Sequence, residues 1–248
     1  MSKQNELAQF ADVVTVNSGK VGIGTAAPSF PLSVQSNSSA EGLLILGRSS
    51  DDIGEIAFRE NDNSTALGEL QYRQDHAILR HRVGDLRFAT GGTTERMRID
   101  ATGAVTMPHQ PAFLVKPASN QENIAINADT TIVFGTEIFD QNADFASNTF
   151  TAPVAGKYQL NISMTLTDVD SATQYVQLFL VTSNRTIPKV YSFQQFSGDV
   201  TYWGLQTSAL VDMDASDTCY IQLNLHVSGT AQMDVQGNYT FFSGYLVA

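Results

Sequence analysis

The residues of this sequence whose types and spacing suggest chemistry begin with Gly22, Gly24 and Ala27, which have the G-x-G-x-x-A spacing of a dinucleotide-binding turn. Such a turn needs a helix directly after it, because the N–H groups of the helix N-terminus hold the pyrophosphate. Here two prolines occur among the next four residues, and they prevent a regular helix beyond its first turn. The motif therefore does not predict a nucleotide site. We expect instead that the two glycines around Ile23 let the backbone approach another chain closely.

Two groups of aspartates are candidate cation sites, since Ca²⁺ prefers carboxylate oxygens as ligands. They lie in TDVDS, with Asp168 and Asp170, and in DMDASD, with Asp212, Asp214 and Asp217. Neither has the glycine and terminal glutamate of an EF-hand loop. Solvated loops are the simpler interpretation. We predict no cofactor, and a bound calcium ion stays open.

No set of side chains predicts catalysis. The sequence lacks a G-x-S-x-G elbow, and no histidine is paired with cysteine or histidine at metal-ligand spacing. Cys219, the single cysteine, lies in the strand-like run TCYIQLNLHV, which predicts a small buried residue rather than a nucleophile. The protein is therefore predicted not to be an enzyme.

Tyr202 and Trp203 form an aromatic pair that suggests recognition rather than reaction. Aromatic side chains stack on sugars and anchor interfaces. We take the pair as a candidate receptor-binding site, and packing in a protein core is the alternative.

Charge excludes several classes of partner. The chain of 248 residues has a net charge of −11 and no cluster of Lys and Arg. A duplex-binding surface needs such a cluster to displace counterions, so nucleic acid is not an expected partner. An anionic membrane surface is not expected for the same reason. Membrane insertion is not expected either, because no apolar run approaches the roughly 20 residues that span a bilayer.

The elements that would position these residues are almost all strands. Residues 1–13 predict a short amphipathic helix that is too short to be stable alone, so we interpret it as an attachment segment. Residues 14–34 predict a hairpin around Asn17 and Gly19, and residues 42–100 predict six short strands beginning with GLLILGR. We expect the arginines of that meander to form cross-strand ion pairs, with a sugar- or phosphate-binding stripe as the alternative. They are Arg48, Arg59, Arg73, Arg80, Arg82, Arg87, Arg96 and Arg98.

Residues 112–248 predict a second β domain after a linker that contains Pro108 and Pro111. The runs KYQLNISMTL and CYIQLNLHV alternate apolar and polar residues, whereas TQYVQLFLV and NYTFFSGYLVA are apolar on both faces. A strand that is apolar on both faces must be covered on both. The predicted cover for the second face is another subunit.

The glycine motif resembles a segment common in bacteriophage tail fibres. The strings GKVGIGTAAPS and TERMRIDATGAV are similar to repeats of trimeric β stalks, and the resemblance spans residues 14–31 and 94–107. It implies that three copies of Ile23, flanked by Gly22 and Gly24, meet on a threefold axis. The second copy departs from the pattern, because it reads TMPHQ where GIGT is usual.

The string FTAPVAGKYQLNISM resembles the signature of the complement q-subcomponent heads, which are related to tumour necrosis factor. Phe150, Pro153, Gly156 and Tyr158 occupy signature positions. The ending TFFSGYLV, with Phe242 and Gly244, is similar to the last strand of that family. The resemblance covers residues 112–248 and implies a ten-stranded jelly roll that trimerises.

These observations predict an all-β homotrimer in three parts: an attachment segment (1–13), a β-rich stalk or collar (14–107) and a jelly-roll head related to tumour necrosis factor (112–248). The predicted function is that of a non-enzymatic virion appendage, assembled in the host cytoplasm. It would bind other virion proteins through its N-terminus and a host surface glycan or protein through its head. A structural capsid cement or tail-assembly protein without host binding is the alternative. A bacterial lectin with a complement-like head is the third hypothesis.

Overall fold

Strands dominate the computed structural model, which describes residues 13–36, 42–230 and 232–248. The fold is all-β, as predicted. The chain divides into an N-terminal unit, which ends at Leu86 but includes Ile99–Ala104, and a C-terminal unit of Arg87–Arg98 and Val105–Ala248. The predicted attachment segment lies outside the described residues, apart from its last residue. The predicted domain boundaries stay predictions.

The N-terminal unit begins with a three-stranded sheet. Its strands, numbered in chain order throughout, are β1 (Val14–Asn17), β2 (Lys20–Ile23) and β3 (Leu32–Val34). β1 and β2 form the predicted hairpin, and its turn residues Ser18 and Gly19 have positive φ values of 52° and 78°. β3 runs parallel to β2, and the segment that joins them contains no helix. The G-x-G-x-x-A motif therefore lacks the helix that a dinucleotide turn requires, as expected.

A second sheet of the same unit is an antiparallel meander of β4 (Gly54–Arg59), β5 (Ala66–Tyr72) and β6 (Ala77–His81). The strand predicted for residues 42–48 is wrong, because these residues are assigned to no strand. GLLILGR is a continuous apolar run without alternation, and such a run does not distinguish a strand from an extended segment. A third sheet has the order β7 (Leu86–Ala89), β8 (Glu95–Ile99), β9 (Val105–Thr106).

The remaining strands of the C-terminal unit form a front sheet and a back sheet. The front sheet contains β10 (Ala112–Lys116), β12 (Thr136–Asp140), β15 (Gly156–Val169), β18 (Val200–Met213), β20 (Asp234–Val235) and β21 (Phe241–Leu246). Its order is β12–β10–β21–β15–β18, with β20 paired to β15. Strands distant in sequence are thus neighbours in space, which is the connectivity of a jelly roll.

The back sheet contains β11 (Asp129–Thr131), β13 (Phe145–Ala146), β14 (Thr149–Thr151), β16 (Thr173–Thr182), β17 (Thr186–Ser192) and β19 (Thr218–Val227). Its order is β13–β14–β19–β16–β17, with β11 paired to β19. The 3₁₀ helix Gly237–Tyr239 precedes the last strand.

The hydrophobic core lies in the C-terminal unit. Alternate residues of the long strands are completely buried, including Leu160 and Met164 of β15, Leu178 of β16 and Leu223 of β19. Each fully buried side chain of this size contributes about 1.5–3 kcal/mol relative to an exposed one. All the buried hydrophobic side chains of the described residues lie at Phe113 or beyond. The described residues contain no helix long and apolar enough to cross a membrane.

Candidate functional site

The signature residues of the C-terminal unit meet around its last strand. The ring of Phe113 stacks on Phe150 at a centroid distance of 4.7 Å and meets Phe242 edge-on at 5.0 Å. Phe150 also contacts Tyr158, with 5.4 Å between ring centroids. Phe113, Phe150, Tyr158 and Phe242 are each at most 1% exposed. The structure thus brings Phe150 and Tyr158 of the string FTAPVAGKYQLNISM together with Phe242 of the C-terminal string TFFSGYLV.

Two glycines let the last strand lie close to its neighbours. A Cβ atom on Gly156 would be 2.6 Å from the carbonyl oxygen of Ala248, and one on Gly244 would be 2.5 Å from Cδ2 of Leu160. Pro153 lies in the exposed turn before β15. The Tyr158 hydroxyl donates a 2.8 Å hydrogen bond to the carbonyl of Val154 in that turn. Burial raises the pKa of Tyr158. These residues have a structural role, and none is arranged for a reaction.

The outward face of the front sheet is the candidate functional surface. Residues directly opposite one another in antiparallel strands point to the same side, and this register joins β18, β15 and β21. The centre of the face forms a shallow depression of about 590 Å³, which is lined mainly by polar side chains together with Phe241 and one lysine, Lys189 of β17. Its outward residues there are Asn161, Ser163, Gln206, Ser208 and Ser243.

Large apolar side chains surround that polar centre. Tyr202 and Leu210 of β18 are 55% and 57% exposed, Tyr245 of β21 is 49% exposed, and Phe139 of β12 is 49% exposed. Aromatic enrichment and the depletion of charged residues in the centre characterise the buried core of protein–protein interfaces. The geometry of this face therefore fits association rather than catalysis.

Sequence reasoning did not identify β18 as a strand, so it missed Gln206, Ser208 and Leu210. The available signal was the alternation of Leu205, Ala209 and Val211 with polar residues in GLQTSALV. It is weak because Leu210 is apolar on the outward side. Only the pairing of β18 with β15 shows which residues point outward.

The outward face of the back sheet corrects one prediction. Tyr175, Phe179 and Val181 of β16 were expected to need cover from another subunit, yet each is already partly buried in a single chain. Neighbouring side chains of the same sheet shield them. His226 of β19, for example, stacks on Tyr175 with 4.0 Å between ring centroids. The two-sided pattern of β16 therefore does not by itself require a second subunit.

Tyr202 and Trp203 point to opposite sides of the front sheet. Tyr202 faces outward, whereas the Trp203 ring packs edge-on against Phe196 and Phe193, with centroid distances of 4.9 and 5.7 Å. The Trp203 indole N–H is buried without a hydrogen-bond partner in the described part of the chain. The two rings do not form one stacking platform, and only Tyr202 offers its ring to a ligand from outside.

The structure gives the glycines of the predicted axis motif a role within their own chain. A Cβ atom on Gly22 would be 2.4 Å from the carbonyl oxygen of Thr25, and Gly24 has a φ of +72° that favours glycine. Ile23 is 41% exposed and shares a face of its sheet with Val14 and Val34. A role of Ile23 on a threefold axis stays a prediction.

Three arginines of the meander, Arg80, Arg82 and Arg87, form the predicted ion pairs between strands. Arg80 and Arg82 both bind Glu69, which is 3% exposed, at N–O distances of 2.6 and 2.9 Å. The other six arginines also donate hydrogen bonds or form ion pairs within the chain. Their partners are Asp51 for Arg48, Asn63 for Arg59, Gln71 for Arg73, Glu95 for Arg87 and Arg98, and Thr90 for Arg96. A stripe of arginines offered to a sugar or phosphate is therefore not present.

Three of the candidate aspartates make hydrogen bonds or ion pairs within the chain, and Cys219 is buried. Asp170 accepts a hydrogen bond from the backbone of Ala172, Asp212 pairs with Arg185 at 2.6 Å, and Asp217 accepts one from Asn184 at 2.7 Å. Within the described residues, no group of three or more His, Cys, Asp or Glu side chains is placed to hold a metal. Cys219 is fully buried, and this burial raises the pKa of its thiol.

Comparison with known proteins matches residues 112–247 to the family described as C1q domain. Among solved structures, the globular domain of zebrafish complement 1qA protein is 18% identical, with a TM-score of 0.42, and the match covers 56% of this chain and 98% of that one. Murine APRIL, solved at pH 8.0, is 10% identical with a TM-score of 0.42 over 56% and 99% of the two chains. At these scores the two structures add no weight to the family match. No curated protein matches the chain.

Proposed function

The chain belongs to the C1q family, and on that premise we propose that it is a homotrimeric, non-enzymatic appendage of a virus particle with the C-terminal unit as its binding head. Domains of the C1q and tumour necrosis factor type have a jelly-roll fold, are generally non-enzymatic ligand-binding domains, and form homotrimers. Trimer formation by this chain, its place on a virion and its host ligand are the proposed steps.

The outward face of the front sheet is the single observation that carries the trimer. Leu210 and Tyr245 are directly opposite the same residue of β15, Gln159, so they lie in one row across the sheet. Both are about half exposed in one chain, with values of 57% and 49%. Burying such side chains against another copy is favourable by about 25 cal/mol per Å² of apolar area. The outward side chains that the front sheet itself contributes to the centre are uncharged, so Lys189 of the back sheet is the one charged side chain among the described residues that line the depression.

Sedimentation equilibrium of the full chain tests the trimer. The parent protein should have three times the mass of one chain at micromolar concentration. Leu210→Glu should dissociate it, because three carboxylates would be buried in the interface. Val154→Glu is the matched control, since Val154 is 46% exposed but lies in a turn outside the front sheet. A monomeric parent, or equal masses for both variants, contradicts the proposal.

Host attachment is the proposed task of the head. Three heads on one appendage would raise a weak affinity for a surface glycan by roughly 10² to 10⁴, through multivalent binding. Tyr202 is the residue best placed to stack on a sugar, because its 55% exposed ring lies near the start of β18, at the opposite end of that strand from Leu210 of the proposed interface row. A glycan array and host-cell binding by the trimer test this. Tyr202→Ala should weaken binding and leave the trimer intact, whereas Tyr239→Ala, at a tyrosine 58% exposed, should not weaken it.

The virion assignment is supported by the resemblance of residues 14–31 and 94–107 to tail-fibre segments. Deletion of residues 1–13 should leave a trimer that no longer joins the particle, as shown by electron microscopy and immunoblotting of purified particles. Incorporation of the deleted chain would contradict the attachment role. A parent trimer that is present on particles but binds no glycan and no host cell would instead indicate the cement protein.

A further inference from the structure

The meander of the N-terminal unit has one apolar face that the described residues do not cover completely. Ile56, Leu70 and Leu79 are directly opposite one another across β4, β5 and β6, and so they share that face. Phe58 and Tyr72 lie on the same side at neighbouring positions. Leu79 is 54% exposed, Phe58 58% and Tyr72 60%.

The opposite face of the same sheet is polar. It carries Glu69, which is 3% exposed and bound by Arg80 and Arg82, and Gln71, whose amide donates a 2.7 Å hydrogen bond to Glu55. Glu69 and Gln71 are the buried side chains of the meander, and none of its hydrophobic side chains is buried. The sheet therefore buries polar side chains of its central strand on one side and exposes hydrophobic side chains on the other. A sheet of three strands needs a packed apolar face for stability.

The described residues cover the apolar face only in part. Leu43 and Ile45 line a cleft of about 230 Å³ together with Ile56, Leu70 and Tyr72. Phe58 and Leu79 line a second cleft of about 280 Å³ together with Leu86, and both remain more than half exposed. The extended segment of residues 42–48 is thus a partial cover.

We propose that this apolar face is a second intersubunit surface, covered in the assembled protein by the same face of two further copies of the chain. The inference rests on the proposed trimer, since a head that holds three chains together keeps three copies of the N-terminal unit at high local concentration. Residues on the apolar side of β4–β6 include one histidine, His81 opposite Gly68, but no Asp, Glu, Lys or Arg. Three identical faces therefore meet without bringing like charges together.

The first sheet of the unit has the same imbalance. Val16 and Leu32 both pair with Val21 and share a face with Ile23 and Val34. Their exposed fractions are 73% for Val16, 61% for Leu32, and 41% for both Ile23 and Val34. Two independent sheets of one unit thus present uncovered apolar faces, as expected if this part of the chain completes its core only in an assembly.

Two substitutions in β4 test the proposal in the full chain. Phe58→Arg places a charge on the apolar face, and Ala57→Arg is its control on the other face, directly opposite Glu69. Both positions are exposed in a single chain, so a self-sufficient sheet would tolerate both equally. We expect the amides of β4–β6 in Phe58→Arg to exchange hydrogen about tenfold faster than those in Ala57→Arg. Equal exchange rates in the two variants overturn the proposal.

Cross-linking keeps the proposal falsifiable if Phe58→Arg fails to fold. Leu79→Cys and the control Ala57→Cys are treated with a short bis-maleimide, to which the buried Cys219 contributes no accessible thiol. Leu79→Cys should give covalent dimers and Ala57→Cys none; absence of dimers in Leu79→Cys overturns the inference. If Leu79→Cys gives no dimers but the parent sediments as a trimer, the proposed function stands and only this inference fails. A monomeric parent contradicts both the proposed function and this inference.

Discussion

Gly244 lies directly opposite Leu160 in the β15–β21 pair, so close that a Cβ atom on Gly244 would be 2.5 Å from Cδ2 of Leu160. The same Cβ atom would be 2.7 Å from Cε1 of Phe113. Leu160 and Phe113 are both buried, with exposed fractions of 0% and 1%. The missing side chain therefore lets the C-terminal strand close the front sheet over the phenylalanine cluster.

Gly244→Ala should destabilise the C-terminal unit by about 1–3 kcal/mol, because an added methyl group overpacks the core. Urea denaturation at a fixed protein concentration measures the change. Gly198→Ala is the control, since no atom lies within 4 Å of a Cβ at Gly198. The control should change the free energy of unfolding by no more than about 0.5 kcal/mol. Equal midpoints for both variants would show that the strand is not held as tightly as described.

Trp203 and Tyr202 should respond differently to truncation. Trp203→Ala removes a ring that packs against Phe193 and Phe196, and the cavity should cost about 3 kcal/mol of unfolding free energy. Tyr202→Ala should change stability little, because the ring is 55% exposed. Thermal denaturation of the two variants checks the contrast. A larger loss for Tyr202→Ala would contradict the assigned directions of the two side chains.

Asp144 should make the C-terminal unit less stable as the pH rises. Burial raises the pKa of its carboxyl above the ordinary 3.8, and one carboxylate oxygen is buried without a hydrogen-bond partner in the described part of the chain. A raised folded-state pKa contributes stability that is present below 3.8 and lost as the pH rises through the folded-state value. Asp144→Asn should therefore gain stability relative to the parent between about pH 3 and pH 7.

Asp199 supplies the control of opposite sign. The backbone N–H of Ser171 donates to its carboxylate and lowers its pKa, so its contribution is present above the ordinary 3.8 and lost as the pH falls. Asp199→Asn should lose stability relative to the parent over the same rise in pH. Denaturant midpoints of the parent and both variants at about pH 3 and pH 7 measure these differences. If the stability difference from the parent changed with pH in the same direction for both variants, the assigned pKa directions would be contradicted.

Glu69→Gln should loosen the meander of the N-terminal unit. Arg80 and Arg82 would lose their shared carboxylate, and the neutral amide would leave a guanidinium without its partner at a cost of about 1–3 kcal/mol. Hydrogen exchange of β5 and β6 in the full chain measures this change. Asp51→Asn breaks the exposed pair of Asp51 with Arg48, and it should change the protection of β5 and β6 far less, because solvent screens an exposed ion pair. Similar protection in both variants would argue against a stabilising role for Glu69.

Local patterns were sufficient for the strands whose residues alternate regularly. The alternation in KYQLNISMTL correctly predicted the buried side of β15, and Asn17-Ser18-Gly19 correctly predicted a hairpin turn. Residues 42–48 were wrongly predicted as a strand and β18 was not predicted, because an unbroken apolar run and a mixed run of Gly, Gln, Ser and Leu have no clear period. The arginine pairs were predictable as a class, but Glu69 as their shared partner depends on the register of β5 with β6.

The amino-acid sequence by itself determined the all-β class, the membership of residues 112–247 in their family, and the absence of a nucleotide-binding turn. Each of these depends on residue type and short spacing along the chain. Only the tertiary structure decided that Tyr202 faces outward while Trp203 faces the core, and that the meander buries its polar side and exposes its apolar side. Such directions follow from strand pairing and register between distant segments, because a shift of one residue moves every side chain to the opposite face.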